Sequence, residues 1–233
     1  MSLGEELKTE VETILGYKGN WTVREGQKVP DTADIALGSE AVRLDATILY
    51  ADLADSTVLV DGYKWWFSAE IYKSYLYCAA RIIRSEGGVI TAYDGDRVMA
   101  VFIGDSKNSD AAKTALKIHF AVSHIINAAL RKKHPKSSYS VGHVVGIDTS
   151  EVHIARTGIR GSNDLVWIGR AANYAAKLSA RPETYRTYVT QEVYKKLNKE
   201  SKQSNGIDMW TPVTWSEFDS RTIYGSNYTW TIT

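Results

Sequence analysis

Residues 89 to 103 read VITAYDGDRVMAVFI, and this run constrains the fold more than any other in the chain. Two β-rich segments meet at Asp94-Gly95, a pair that readily adopts the backbone angles of a tight hairpin turn. Long helical periods flank the hairpin on both sides. Upstream, WWFSAEIYKSYLYCAARIIRSEG carries apolar residues at helical spacing and is closed by Gly87 and Gly88. Downstream, SDAAKTALKIHFAVSHIINAALRKK predicts a second long helix with Ser109 or Asp110 as its N-cap. An apolar strand, DATILYADL, precedes the first helix. After the second, YSVGHVVGIDTSEVHIARTGI predicts two strands about a turn near Asp148.

Strand, helix, hairpin, helix, strand is the order of the ferredoxin-like split βαβ sheet. The expected fold class is therefore α+β: a βαββαβ domain with C-terminal additions and an N-terminal helical extension. The extension is GEELKTEVETILGY, with Leu7, Val11, Ile14 and Leu15 at helical spacing and Gly16 to end it. A polar connector from Lys18 to Leu44, holding Pro30, Asp31 and Gly38, reads as loop. The expected domains are residues 1–42, helix and connector, and residues 43–233. C-terminal additions are a short helix in GRAANYAAKLSA, a strand and helix in YRTYVTQEVYKKL, and closing strands in RTIYGSNYTWTIT.

Lys and Arg number 28 against 27 Asp and Glu, a net charge of +1, which gives no support to nucleic-acid binding by bulk electrostatics. The single cysteine, Cys78, rules out a disulfide within the chain and reads as buried filler. No apolar run approaches the roughly 20 residues that span a bilayer, so neither a membrane nor a nucleic-acid partner is expected, and cytoplasmic is the default location. The histidines lack metal-ligand spacing; His119 and His124 sit on a helix and read as packing. RKKHPK at 131–136 reads as a solvated helix end, where cations complement the dipole. Trp65, Trp66 and Phe67 read as core.

One carboxylate interrupts the first strand near its end, at Asp52, and another sits in the hairpin turn, at Asp96. In a βαββαβ sheet the first and third strands are antiparallel neighbours, so these acids meet at one edge. Like charges this close repel, and a divalent cation is their natural partner. Carboxylate oxygens suit Mg²⁺ or Mn²⁺. Backbone N–H groups of Ala54, Asp55, Ser56 and Thr57, where strand turns to helix, could cradle phosphates. The plain alternative is that Asp52 caps a helix and Asp96 merely occupies a turn.

The segments LYADLADST, DGDRVMAVF and GIRGSNDLVWIGRAANYAAKLSA resemble the catalytic domain of class III nucleotidyl cyclases, over roughly residues 43 to 233. The resemblance implies a metal-dependent enzyme with two ions per site, held by Asp52, Asp96 and the backbone carbonyl of Leu53. It implies a head-to-tail homodimer with sites shared across the interface. The partner would supply Asn173 and Lys177, which share a helical face. Lysine stands at the latter position where the family usually has arginine, keeping the charge and losing the bidentate fork. Arg221 lies near the family's terminal triphosphate-binding cation.

The family reads its base at two positions, which here are Ala92 and Val166. Neither side chain can hydrogen-bond a purine edge. Tyr50 replaces a common phenylalanine and shares a strand face with Asp52, so its phenol can reach a smaller base; simple packing is an equal reading. Arg97 is another candidate donor, unless strand alternation turns it away. This pattern is similar to the bacterial pyrimidine cyclases of the Pycsar anti-phage system, nearest their uridylate-forming branch. The resemblance implies UTP as substrate and an effector that responds to the cyclic nucleotide. Tyr50 alone does not separate uracil from cytosine. A cytidylate cyclase, a purine cyclase and a noncatalytic nucleotide-binding module stay open as alternatives.

Overall fold

In the computed structural model, which describes residues 1–232, the chain forms two compact units. The smaller takes in Met1–Asp45 and Glu151–Gly169; the larger takes in Ala46–Ser150 and the residues from Arg170 onward. The smaller unit opens with helix α1 (Leu3–Leu15), ended at Gly16 and started by a reciprocal cap. Ser2 Oγ accepts from the Glu5 N–H, and the Glu5 carboxylate accepts from the Ser2 N–H. Strand β1 (Thr22–Glu25) pairs in parallel with the first residues of β2 (Glu40–Leu53). The connector is thus partly strand and not all loop. Its four β1 residues are all exposed, so no polar-apolar alternation marks them.

The βαββαβ order is present. From β2 the chain enters α2 (Ser56–Gly62) and α3 (Trp65–Ser85), after which Gly87 adopts φ +81°. β3 (Val89–Asp94) and β4 (Arg97–Phe102) form the hairpin, with Gly95 at φ +62° in its turn. The next helical stretch runs without a break through α4 (Lys107–Phe120), a π-helical segment (Ala121–Ile126) and α5 (Asn127–Lys133). Its N-cap is Ser106, not Ser109 or Asp110. Ser109 already lies in the first turn, and its hydroxyl accepts from the Asn198 N–H at 2.9 Å.

β5 (His143–Ile159) is one continuous strand, not two about Asp148. Asp148 is fully buried within it, and the turn comes only at Arg160-Gly161, before β6 (Ser162–Ile168). A polar residue broke the apolar run because it has a buried partner, described below. The chain then adds α6 (Arg170–Ser179), β7 (Thr187–Thr190), α7 (Gln191–Lys196) and α8 (Lys199–Lys202). The two-residue strands β8 (Gln203–Ser204) and β9 (Ile207–Asp208) precede β10 (Thr211–Trp215) and β11 (Arg221–Ser226). In the larger unit the strand order is β10-β11-β7-β5-β2-β4-β3, with β4 antiparallel to both β2 and β3. No helix among the described residues is long and apolar enough to cross a membrane.

Alternation divides the residues between two faces of this sheet. Leu49, Ala51 and Leu53, with Val98, Ala100 and Phe102, join one core with Phe67, Tyr75 and Leu116 from the long helices. Each Leu, Val or Phe among them contributes about 1.5–3 kcal/mol by leaving water. Residues of opposite parity, Tyr50, Asp52 and Arg97, lie on the other face. There α6 packs against β5, and Gly146 permits the approach: a Cβ on it would fall 2.1 Å from the Ala175 carbonyl oxygen. Phe67 is core as expected, but Trp65 and Trp66 are 80% and 45% exposed, because the helix turns only one of the three rings inward. Cys78 is half-buried at the core's margin and not enclosed by it.

His143 is buried on the helix side, with neither ring nitrogen hydrogen-bonded. Its ring lies 5.5 Å from His119 and 6.2 Å from Tyr75. Burial, reinforced by His119 and Arg186, holds its pKa well below the usual 6.5. The unfolded chain therefore binds a proton that the folded chain refuses, and stability falls as pH drops below 6.5. The expected contribution is about 1.4 kcal/mol lost per pH unit, measurable by urea unfolding. His143→Leu should remove that part of the acid slope; an identical slope in both proteins would show that His143 is not its source.

Candidate active site

The antiparallel register of β2 and β4 builds the site. Tyr50 lies opposite Met99 and Ala51 opposite Val98, so the next steps bring Asp52 level with Arg97 and Leu53 level with Asp96. Burial first, and then the charge of Asp96, push the Asp52 carboxyl up to about 6; Arg97 and the Leu53 N–H oppose the rise. Asp96 Oδ2 is buried without a hydrogen-bond partner. A half-buried carboxylate raised by its neighbour's charge, and that neighbour with an unmet oxygen, are a donor set that a hard divalent cation fits. Among the described residues no group of three or more His, Cys, Asp and Glu could hold a metal. Further ligands must come from backbone oxygen, such as the Leu53 carbonyl, or from a bound molecule.

A cleft of about 510 Å³ opens beside Asp52, lined by Leu53, Ala54, Asp55 and Val144 on one side and by Ser179 to Glu183 on the other. Asp55 holds the loop in a left-handed turn, φ 54°. The phosphate cradle is smaller than expected: the Ala54 N–H already donates to the Gly142 carbonyl at 3.1 Å. Asp55, Ser56 and Thr57 remain as its candidates.

Asn173 and Lys177 are exposed on α6, one turn apart, while Ala171, Ala175 and Leu178 form its buried side. Neither lines the Asp52 cleft of its own chain. The Lys177 ammonium lies 4.9 Å from the Phe218 ring centre. Helix α6 is fixed at its first residue, a feature the sequence reading missed. Arg170 donates to both oxygens of Asp148, at 3.0 and 3.2 Å, and to the Thr149 carbonyl at 2.6 Å. Thr190 also donates to Asp148, at 2.5 Å. Breaking such a buried pair from one side costs about 3–5 kcal/mol. Arg221 stands off the cleft lining, 3.9 Å from Glu192 and 5.5 Å from the Tyr174 ring centre.

On the base side, Tyr50, Met99 and Ala92 form one row across three strands. The Arg97 guanidinium lies over the Tyr50 ring at 5.3 Å, so alternation brings it to Tyr50 and not away from it. It also pairs with Asp94 at 2.6 Å. Burial raises the Tyr50 pKa, which keeps its hydroxyl neutral, able to donate or accept. Val166 belongs to the smaller unit, opposite Ala155 and exposed. Tyr75, also missed, is fully buried with an unpartnered hydroxyl. Its pKa is raised by burial and by the charges of Asp52 and Asp96.

No protein-family model matches the chain. It is 54% identical to a uridylate cyclase of Xanthomonas perforans and 52% identical to one of Burkholderia cepacia, each match covering the whole of both chains. In structure it is similar to the adenylyl cyclase CyaB from P. aeruginosa, with TM-score 0.63 and 20% identity, covering 80% of this chain and 95% of that one. It is also similar to a bacterial light-regulated adenylyl cyclase, with TM-score 0.68 and 21% identity, covering 84% of this chain and 56% of that one. Full-length identity above one half, on a fold shared with adenylyl cyclases that places Asp52 beside the hairpin turn, assigns the chain to the uridylate cyclase family.

Proposed function

We propose that this cyclase converts UTP to 3′,5′-cyclic UMP and pyrophosphate, with two Mn²⁺ or Mg²⁺ ions per site, in a homodimer whose sites straddle the interface. The observation that carries the reading is the Asp52–Asp96 pair, with the unmet Asp96 oxygen. The relatives named uridylate cyclase support UTP as the substrate. Asp52, Asp96 and the Leu53 carbonyl would hold the cations, which when bound lower the pKa of the ribose 3′-hydroxyl and polarise the α-phosphate. Asn173 of the second chain orients the ribose, and Lys177 offsets charge that grows on the phosphoryl oxygens. Exposure of both residues on α6, away from their own chain's cleft, suits a role in the partner's site.

Tyr50 is proposed to meet uracil from the cleft wall. Ala92, at the far end of the row beyond Met99, leaves room and offers no hydrogen bond. CTP is the second reading, because a phenol that can donate to a carbonyl can accept from an amine. The product would act as a second messenger in antiviral defence, through a cyclic-nucleotide-responsive effector; this rests on the likeness to the anti-phage pyrimidine cyclases. The deciding experiment incubates the pure protein with each NTP and Mn²⁺ and identifies products by mass. Cyclic UMP is the expected main product; a dominant purine product would overturn the reading.

Asp52→Ala and Asp96→Ala should each abolish cyclisation while the fold survives, since each removes a ligand and relieves repulsion. Substantial turnover with either, in a protein whose circular dichroism is unchanged, would remove the pair from the mechanism.

Mixing Asp52→Ala with Asn173→Ala protein should restore part of the activity, because one site of the heterodimer keeps both sets of residues. Subunit exchange without recovery would rule out sites shared between chains.

Tyr50→Phe keeps the ring under Arg97 and deletes one hydrogen-bonding group. UTP turnover should fall by about 1–3 kcal/mol in transition-state free energy, read as kcat/KM for UTP and CTP. Unchanged rate and selectivity would make Tyr50 a packing residue only.

A further inference from the structure

Arg181 is the one cation on the lining of the Asp52 cleft among the described residues. It lies two residues past the end of α6, and its N–H donates to the Leu178 carbonyl at 3.3 Å, so the backbone that carries it is tied to the helix end. Its side chain is 16% exposed and spans a fork of five donors suited to phosphate. That capacity is poorly used. One terminal nitrogen donates to Glu217 at 3.3 Å, the guanidinium rests 5.2 Å from the Tyr188 ring centre, and Nε is buried without a partner. Glu217 is itself 65% exposed, so water can replace Arg181 around its carboxylate at small cost. The other acid on this side of the cleft, Glu183, is engaged by Arg186.

We infer that Arg181 contacts the β- or γ-phosphate of the nucleotide whose α-phosphate lies at the Asp52–Asp96 end, and that Glu217 is an internal competitor, displaced when the phosphate arrives. This rests on the proposed reading that a metal-bound triphosphate enters the cleft. The role differs from that of Lys177, which is exposed and does not line its own chain's cleft, and it falls to Arg181 rather than Arg221. A ligand that must break an existing pair binds more weakly by the stability of that pair. The two residues should therefore act on affinity with opposite signs. A merely structural ion pair would not do this, since its loss from either side would weaken the site.

The test is calorimetric titration of Mn²⁺-tripolyphosphate into the wild type, Arg181→Gln, Arg181→Lys, Glu217→Gln and the Arg181→Gln/Glu217→Gln double variant, each checked by thermal melting. Arg181→Gln should weaken binding by roughly tenfold to a hundredfold, the loss of a charge-assisted contact. Arg181→Lys should recover part of it. Glu217→Gln should tighten binding by about twofold to fivefold, the release of an exposed ion pair. The double variant should match Arg181→Gln, because the competitor matters only while the arginine is present. Unchanged affinity in Arg181→Gln, or no tightening in Glu217→Gln, would overturn the inference; the second variant alters an exposed side chain and decides the matter even if the first unfolds. A separate assay of wild-type protein with UTP and Mn²⁺ keeps the two readings apart: absent cyclic UMP counts against the proposed reaction, whereas the tripolyphosphate affinities judge Arg181.

Discussion

A carboxylate at the end of β2, held against another in the hairpin turn between β3 and β4, is the constraint around which the larger unit is arranged. Asp52 is half-buried, and the charge of Asp96, whose own Oδ2 has no partner, makes the Asp52 charge still more expensive. The fold tolerates this because the core on the opposite face of β2 is continuous: Leu49, Ala51 and Leu53 are buried beside β4 and the long helices. A strand anchored by three apolar side chains can carry a destabilising acid between them. The pKa of about 6 at Asp52 expresses that cost directly. Antiparallel pairing with β4 leaves the acid no room to retreat, since a slip of one residue would turn the whole apolar set outward.

The fold and the geometry of the candidate acid pair were legible for the same reason: both rest on short-range pattern. The Asp94-Gly95 turn and the helices on either side determined the βαββαβ order, and that order alone placed Asp52 beside Asp96. What escaped was polar residues whose partners lie far off in sequence. Asp148 broke an apolar run and read as a turn, yet it is the buried acceptor for Arg170 and Thr190, 22 and 42 residues later. Periodicity cannot tell a buried acid with a partner from an exposed one without. The same blindness hid Arg181, whose place on the cleft depends on how α6 ends. Trp65 and Trp66 failed in the other direction: bulk suggested burial, and one helical turn could bury only Phe67.

Arg170 shows how a residue absent from the sequence expectations governs the placement of residues proposed from them. Asn173 and Lys177 are useful only if α6 presents them at a fixed height and angle. One end of the helix is pinned by Arg170 on Asp148, and its middle is held against β5 by the absence of a side chain at Gly146. Neither device touches the proposed substrate. Both convert stability of the sheet into placement of the exposed pair, and effects on catalysis from a misplacement of about 1 Å are large.

The far end of α6 is governed by a loop of unusual conformation. Phe218 lies under the Lys177 ammonium, and its neighbour Glu217 pairs with Arg181. The two residues that follow, Asp219 and Ser220, both adopt left-handed backbone angles, φ 52° and 51°. Each costs on the order of 1–2 kcal/mol for a residue with a side chain, less where Asp can hydrogen-bond locally. Glycine at either place would relieve that strain and would also free the chain around it. A stiff loop is the arrangement that keeps adjacent residues on two cations at once. Arg181 faces the chain's own cleft, while Lys177 stands exposed on α6. Lys177 and Arg181 are already four residues apart along the chain, and the loop adds a second link between them. Phe218 under the one and Glu217 beside the other share a peptide bond, so a displacement of Glu217 is mechanically adjacent to Lys177.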